Sequence, residues 1–135
     1  MSDSFKVLEC DSFRWRGVAA REYKRPTDPS RGVTRQTLFG EAPEEAPLAF
    51  VTRYFEVAPG GYTTLERHQH PHVVVVLRGR GTVQLSEHSH QLAPFDAVYV
   101  APGTVHQFRA ASDEPLGFIC IVDRIRDRPV VIGRS

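Results

Sequence analysis

Three histidines lie at alternate positions within one short stretch of the chain, His68, His70 and His72, and a fourth, His106, follows a proline-glycine turn much further along. Histidine is the most common protein ligand for transition metals, and neutral imidazole suits Zn, Cu, Fe and Ni. Because side chains two positions apart on a strand point to the same face, His68 and His70 can be directed at one ion. The sequence therefore predicts a metal site.

Pro71 divides this run of histidines. Proline cannot donate a ladder hydrogen bond, and it biases the residue before it toward an extended conformation. On one straight strand the Cα atoms of His68 and His72 would be about 13 Å apart at roughly 3.3 Å per residue, whereas a Zn–N bond is only about 2.0–2.1 Å long. We therefore expect His68 and His70 to end one strand, and His72 to open the next after a sharp reversal.

Three further polar residues share the alternating pattern. Glu66 has the parity of His68 and His70. Two interpretations stay open for it: a carboxylate in the same cavity, serving as general base or acidic ligand, or a solvent-facing residue near the start of its strand. His88 and His90 also alternate, but they flank Ser89 in a polar turn, which predicts exposure to solvent.

From about Leu48 onward the chain consists of short runs rich in β-branched and aromatic residues, separated by turn residues and without helical periodicity. This pattern predicts an all-β sandwich or barrel, in which the first strand stops at Pro59-Gly60-Gly61. The predicted strands are Phe50–Val57, Thr63–His70, Val73–Leu77, Thr82–Leu85, Gln91–Leu92, Ala97–Val100, His106–Arg109 and Leu116–Val122.

Three parts of the chain are distinguished by their composition: an N-terminal extension over residues 1–47, a barrel over 48–122 and a C-terminal tail over 123–135. The extension is expected to pack on the barrel. Within it, Arg31–Phe39 and Val7–Arg16 could each form an extra strand, whereas Lys24–Arg31 and Glu41–Pro47 are predicted to be loops. The tail either packs along the barrel or frays.

Several side chains of the predicted barrel are candidates for its interior. Phe108 shares the parity of His106 and is expected to line the barrel. Arg53, Tyr54 and Tyr99 could line a pocket, but strand parity alone leaves open which face of each strand is inside.

Length, net charge and cysteine content indicate the number of domains, the kinds of partner and the cellular setting. A chain of 135 residues fits one domain. Its formal charge of +1 gives no support for a nucleic-acid or membrane partner, and it contains neither a long apolar stretch nor the pattern of a signal peptide. Cys10 and Cys120 form no close pair, which favours two free thiols in a reducing, cytoplasmic setting.

Two motifs of the chain resemble those of the cupin superfamily, of the small cupin-2 conserved-barrel type. These motifs are Gly61…His68-x-His70…Gly79 and Pro102-Gly103-Thr104-Val105-His106, and the resemblance covers residues 57–110. It implies an antiparallel jelly-roll barrel in which His68, His70 and His106 hold a metal. Counting back from Gly79, the metal-binding glutamate of the family falls on His72, which suggests a four-histidine site or a three-histidine site with His72 nearby.

The sequence departs from the family pattern at four further positions. Gly61 lies one residue further from His68 than the pattern has it. Phe95, Ala101 and Ala110 stand where the family usually has glycine, proline and asparagine. These departures weaken the transfer of a specific activity but not of the fold.

Replacing the glutamate by histidine has a chemical consequence. Three histidines and a glutamate leave a divalent ion with a net charge of about +1, whereas four neutral imidazoles leave it near +2. The ion becomes a stronger Lewis acid, and an anionic ligand is favoured. An all-nitrogen ligand set argues against Mg and Ca and for one divalent Fe, Mn, Ni, Cu or Zn ion.

Three functions are consistent with such a site. The first is a metal-dependent oxidoreductase, a dioxygenase-like enzyme acting on a small polar or anionic substrate, with Glu66 as an acid/base partner. The second is a non-enzymatic protein that uses the metal to bind or sense a small molecule, and the third is a redox-neutral, isomerase-like cupin, which needs no metal. Because Val73 to Val76 is apolar on both faces and cupins are commonly dimeric, we also expect a homodimer.

Overall fold

The computed structural model describes residues 5–23 and 29–133. A short 3-10 helix covers Pro43–Glu45. Within the described ranges no helix is long and apolar enough to cross a membrane. The strands, in chain order, are β1 (Cys10–Asp11), β2 (Arg14–Trp15), β3 (Arg21–Glu22), β4 (Arg31–Phe39), β5 (Phe50–Tyr62), β6 (Leu65–Arg67), β7 (His72–Arg78), β8 (Gly81–Leu85), β9 (His88–Leu92), β10 (Ala97–Val100), β11 (His106–Ala110), β12 (Leu116–Asp123) and β13 (Val130–Gly133).

Eleven of these strands form one antiparallel sheet that curls on itself. Strands β10, β7, β12, β5, β11, β6 and β13 are hydrogen-bonded in that order. Strand β4 joins β5 and carries β3, while β8 joins β11 and carries β9. The predicted all-β jelly-roll barrel is confirmed.

The interior of the barrel is filled by alternate residues of the central strands, as period-2 patterning requires. Val74 and Val76 of β7 are fully buried, whereas Val73, which points to the opposite face of the sheet, is 42% exposed. The rings of Phe108, Phe118 and Phe55 stack across β11, β12 and β5. These three rings form an apolar part of the lining of an interior cavity.

Strand β5 corrects one boundary predicted from the sequence. The run Pro59-Gly60-Gly61 does not stop the strand, which continues to Tyr62. In the register with β4, Tyr62 faces Arg31 but Val57 faces Val33, so β5 takes up extra residues as a bulge. Gly60 has a φ of 73°, a value that glycine adopts without steric cost.

The hairpin after β8 corrects a second prediction. The turn consists of Ser86 and Glu87, and His88 and His90 lie on strand β9 rather than in the turn. Ser86 has a φ of 54°, which tightens the turn to two residues. Both histidines are exposed, as predicted.

The N-terminal extension contributes directly to the sheet. Arg31–Phe39 forms β4 as predicted, and it pairs with β5 along most of its length. The segment Val7–Arg16 forms the small hairpin β1–β2 rather than one strand, because Ser12 and Phe13 adopt positive φ values. Residues 24–28 of the predicted loop Lys24–Arg31 lie outside the described residues.

The predicted solvated loop Glu41–Pro47 contains a buried carboxylate. Glu45 Oε1 accepts hydrogen bonds from the backbone N–H groups of Gly40 and Ala42, at 2.6 and 3.2 Å. Glu45 is only 7% exposed and forms an ion pair with Lys6. One of the glutamates that suggested a solvated segment therefore stabilises the loop from inside.

The C-terminal tail packs along the barrel as far as residue 133. Strand β13 pairs with β6, with Val130 opposite Arg67 and Val131 opposite Glu66. The tail thus runs antiparallel to the strand that leads to the first histidines.

Candidate metal centre

The four histidines lie in or directly after two loops, one between β6 and β7 and the other between β10 and β11. His72 is the first residue of β7, as predicted, and it is paired with Val100 on one side and Val122 on the other. His106 is the first residue of β11 and lies opposite Glu66 of β6. His68 and His70 lie just beyond β6 rather than within it.

A backbone hydrogen bond joins the two histidine-bearing loops. The Gly103 N–H donates to the backbone carbonyl of His68 at 2.8 Å. Gly103 has a φ of 78°, in the left-handed region that glycine favours, and is the third residue of the turn Ala101–Thr104, in which the Thr104 N–H donates to the Ala101 carbonyl at 3.2 Å. The Pro-Gly turn of the second motif therefore fixes the position of the first.

His68, His72 and His106 form one buried cluster. Their candidate ligand atoms all lie within 4.8 Å of one another. The three residues are 5%, 8% and 4% exposed. His72 Nε2 lies 3.3 Å from His106 Nε2.

The Nδ1 atoms of the three clustered histidines contact groups outside the cluster. The Nδ1–H of His68 donates to the backbone carbonyl of His70 at 2.6 Å, and that of His106 donates to the carbonyl of Thr104 at 2.8 Å. His72 Nδ1 lies 3.2 Å from Cys120 Sγ. Because a carbonyl oxygen only accepts, His68 and His106 must carry their proton on Nδ1, which leaves the Nε2 lone pairs for the cluster interior.

This arrangement fits a transition metal. Two nitrogens bound at about 2.0–2.1 Å in a tetrahedral arrangement are about 3.3 Å apart, which is the separation of His72 Nε2 and His106 Nε2. Without a cation, two inward-facing imidazole nitrogens so close together would repel one another unless one of them carried a proton. The nitrogen donor set suits Zn, Cu, Fe, Ni or Mn rather than Mg or Ca.

His70 is not part of this cluster, although the sequence predicted it as a ligand. Its Nδ1 lies 2.7 Å from Asp127 Oδ1, and its ring stacks on that of His68 with centroids 3.7 Å apart and planes 3° apart. Asp127 also accepts hydrogen bonds from the backbone N–H groups of Gln69 and His70, at 2.8 and 2.9 Å. His70 thus supports the ring of His68, while its ligation of a metal stays a prediction.

Glu66 lies beside the cluster. Its Oε2 atom is 3.8 Å from His68 Nε2, the nitrogen that faces the cluster interior. The side chain is 15% exposed and lines the same cavity as the histidines. The position agrees with the interpretation that placed Glu66 in the cavity rather than in solvent.

Comparisons with known proteins agree with this geometry. The Cupin domain family matches residues 53–122. The chain is 47% identical over 135 residues to 1-methylthio-D-xylulose 5-phosphate methylsulfurylase of Rhodospirillum rubrum, an alignment that covers 96% of this chain and 83% of the relative. The chain is a cupin.

Solved structures of other cupins extend the comparison. A cupin-2 domain from Rhodospirillum rubrum superposes with a TM-score of 0.82 at 43% identity, over 96% of this chain and 84% of that one. A cupin-2 conserved-barrel protein from Rhodopseudomonas palustris gives 0.84 at 42% identity, over 93% and 86%. The chain is therefore a small single-domain cupin.

Burial sets the protonation of the histidine cluster in this cupin. Loss of solvent, followed by repulsion from His106, lowers the pKa of His68 to about 4 and that of His72 to about 2. Burial also lowers the pKa of His106. All three imidazoles are neutral at pH 7, which is the form that binds a metal.

These shifts predict how the metal-free cupin responds to acid. A histidine with a lowered pKa in the folded state binds fewer protons than in the unfolded state, so stability falls as the pH drops below the ordinary value of 6.5. His72 alone should cost about 2 kcal/mol of unfolding free energy between pH 7 and pH 5. The measurement is urea unfolding in the presence of EDTA at both pH values, and His72→Gln should reduce the loss. An unfolding free energy that does not change with pH would contradict the buried neutral cluster.

A cavity of about 240 Å³ opens onto the cluster. Ligand pockets are usually about 300–1,000 Å³, so this one suits a small metabolite rather than a polymer. It is lined by the histidines and by Tyr23, Arg35, Arg53, Phe55, Thr63, Thr64, Glu66, Phe108, Phe118, Cys120, Val122, Arg126, Asp127 and Pro129.

The lining of the cavity shows which of the candidate interior side chains point into it. Arg53 and Phe108 line it. Tyr54 is buried elsewhere, with its O–H donating to Glu56 Oε1 at 2.9 Å, and Tyr99 is 64% exposed. The neighbouring register Tyr99–Val73 places Tyr99 on the outer face of the sheet.

Sequence reasoning missed Cys120 as a cavity residue. The thiol is 2% exposed and lies between His72 Nδ1, at 3.2 Å, and Arg53 Nη2, at 3.7 Å. Burial raises the pKa of the thiol, and the charge of Arg53 opposes that rise. A lone cysteine carries no spacing signal, so only the register that places Cys120 opposite Arg53 reveals its role in the cavity wall.

Proposed function

We propose that this cupin is a metal-dependent enzyme that removes the methylthio group from a phosphorylated methylthio-ketose, the kind of compound in the name of its R. rubrum relative. One observation carries the proposal: a thiol, Cys120, lies in the wall of the same cavity as a three-histidine cluster. A sulfur nucleophile beside a metal site suits chemistry at a carbon–sulfur bond next to a carbonyl group.

The proposed ligands are His68, His72 and His106, with His70 or Glu66 completing the set. When bound, the metal supplies a Lewis acid that polarises a carbonyl oxygen of the substrate. A three-histidine set without Glu66 keeps the ion near +2, whereas ligation by Glu66 lowers the net charge to about +1. The His70–Asp127 contact holds the imidazole of His70 in its stacked position on that of His68.

Cys120 is the proposed acceptor of the methylthio group. The thiol first releases its proton to solvent, and its thiolate sulfur then attacks the methylthio sulfur, so that a sulfur–sulfur bond forms and the carbon–sulfur bond breaks. The substrate carbon keeps the electron pair and takes up a proton, for which Glu66 is the candidate donor. A small thiol then reduces the resulting methyl disulfide on Cys120 and leaves as a mixed methyl disulfide, which returns the cysteine to its thiol form.

The position of His72 favours this use of Cys120. A His72 that binds a metal through Nε2 carries its proton on Nδ1, and that Nδ1–H points at Cys120 Sγ. A hydrogen bond donated to the sulfur stabilises its anionic form. Arg53 adds a positive charge on the other side of the sulfur.

The test is turnover of 1-methylthio-D-xylulose 5-phosphate by the purified protein with a small thiol such as dithiothreitol, together with metal analysis. We expect the dethiomethylated ketose phosphate as product, loss of activity after treatment with EDTA, and recovery when one of Mn, Fe, Ni, Cu or Zn is returned. No product with the metal-loaded protein would refute the proposed reaction.

A dioxygenase-like oxidoreductase is the second candidate, because a buried cluster of three neutral histidines at a small cavity also suits redox-active iron, copper or manganese. Oxygen consumption that depends on an added small polar substrate would favour it over the methylthio reaction. Metal-dependent binding of a ligand without any turnover would instead favour a binding or sensing protein.

We also propose that the protein acts in the cytoplasm and as a homodimer. The dimer would cover an apolar row on the outer face of β10, β7 and β12, where Tyr99, Val73 and Ile121 are adjacent in register and are 64%, 42% and 37% exposed.

A further inference from the structure

Three guanidinium groups converge on the cavity from three segments of the chain. Arg53 of β5 lies opposite Thr37 of β4, and Arg35 lies two residues from Thr37 on the same strand, so the two arginines are diagonal neighbours on one face. Arg126 reaches the cavity from the tail after β12. We refer to Arg35, Arg53 and Arg126 as the arginine group.

The arginine group lacks carboxylate partners in the described part of the chain. None of its members takes part in the ion pairs found among residues 5–23 and 29–133. Arg53 is 8% exposed, and its Nε atom is buried without a hydrogen-bond partner among the described residues. Its Nη2 atom donates to Cys120 Sγ, a weak acceptor, at 3.7 Å. A buried cation left in this state is costly, which indicates that its partner is a ligand.

Besides burial, both other members of the arginine group lower the pKa of Arg126 by repulsion. Burial lowers the pKa of Arg126, repulsion from Arg53 lowers it further, and Glu41 and Arg35 act in opposite directions with smaller effects. Arg126 stays charged at neutral pH, so three guanidinium charges line the cavity, which also holds the carboxylates of Glu66 and Asp127.

Aromatic rings hold two of the guanidinium groups in place. The Arg53 Cζ atom lies 4.9 Å from the centroid of Phe55, and Arg35 Cζ lies 5.5 Å from that of Tyr23. Tyr23 and Phe55 pack edge to face, with centroids 5.2 Å apart. The donors are therefore ordered before a ligand arrives, which reduces the entropy lost on binding.

We propose that the arginine group is the subsite for the phosphate of the substrate. This inference rests on the proposed function, which supplies a ketose phosphate as the ligand. This subsite also fixes how the substrate is oriented. The phosphate binds to the arginine group, and the opposite end of the sugar extends past Cys120 toward the histidine cluster. Guanidinium groups suit a phosphate because their parallel N–H donors bind two of its oxygens at once.

The experiment separates binding from turnover by using D-xylulose 5-phosphate, which has the phosphate but no methylthio group, and D-xylulose, which has neither. Binding to the metal-loaded protein is measured by calorimetry. We expect the wild-type protein to bind the phosphate ester and not the free sugar. Arg126→Gln and Arg35→Gln should each weaken binding roughly ten- to a hundredfold, and Arg126→Lys less than Arg126→Gln.

Arg128→Gln is the matched control, since Arg128 is exposed, lies two residues from Arg126 and does not line the cavity. If Arg126→Gln and Arg35→Gln bind the ester as Arg128→Gln does, or if wild-type protein does not distinguish the ester from the free sugar, the subsite is refuted, even when the methylthio reaction proceeds. If the ester binds through these arginines but no methylthio compound is turned over, the subsite stands and the proposed reaction fails.

Discussion

His72→Ala is expected to lower the affinity for the metal by more than about a hundredfold, beyond the 10–100-fold typical of losing a residue that only supports a ligand. His72 Nε2 faces His106 Nε2 at 3.3 Å inside a buried cluster, so alanine removes one of its three nitrogen donors. The measurement is the metal content of the purified variant and its affinity for the returned metal.

His72→Glu is the informative companion variant. It restores the residue type that stands at this position in the cupin pattern, so it should retain the metal while lowering the charge of the site by one. His90→Ala is the control, because His90 is an exposed histidine on strand β9. Equal metal content in His72→Ala and His90→Ala would show that His72 is not a ligand.

The first histidine loop shows how far sequence patterns reach. Pro71 correctly predicted that His72 opens a new strand, because the effect of proline on the backbone is local. The position of Gly79 placed His72 where the cupin pattern has its glutamate, and His72 does lie in the cluster. Strand alternation, however, did not place His70, since residues 68–70 lie in a bend beyond β6.

The contacts that the sequence could not predict are those made between distant segments. Asp127 is 57 residues from His70, and nothing in its local composition links the two. Cys120 and Arg53 face each other only because β12 and β5 pair in one particular register. Register depends on the packing of the whole barrel, so the histidine cluster was predictable from the sequence, whereas the thiol and the arginine group beside it were not.

Cys120→Ser is expected to reduce turnover of 1-methylthio-D-xylulose 5-phosphate by roughly three orders of magnitude or more, as is usual when a covalent nucleophile is removed. A serine hydroxyl has nearly the shape of the thiol, but at neutral pH it does not attack the methylthio sulfur. The barrel, the arginine group and the histidine cluster are retained, so metal content and the binding of D-xylulose 5-phosphate should stay close to those of the wild-type protein.

Cys10→Ser provides the matched control, because Cys10 is the exposed cysteine on strand β1 and does not line the cavity. The wild-type protein, incubated with the substrate but without a reducing thiol, should gain the mass of one methylthio group at Cys120 by mass spectrometry. The Cys120→Ser variant should gain none. If Cys120→Ser turns over the substrate as fast as Cys10→Ser, the thiol is not the acceptor, and the reaction at the carbon–sulfur bond must proceed through the histidine cluster and Glu66 alone.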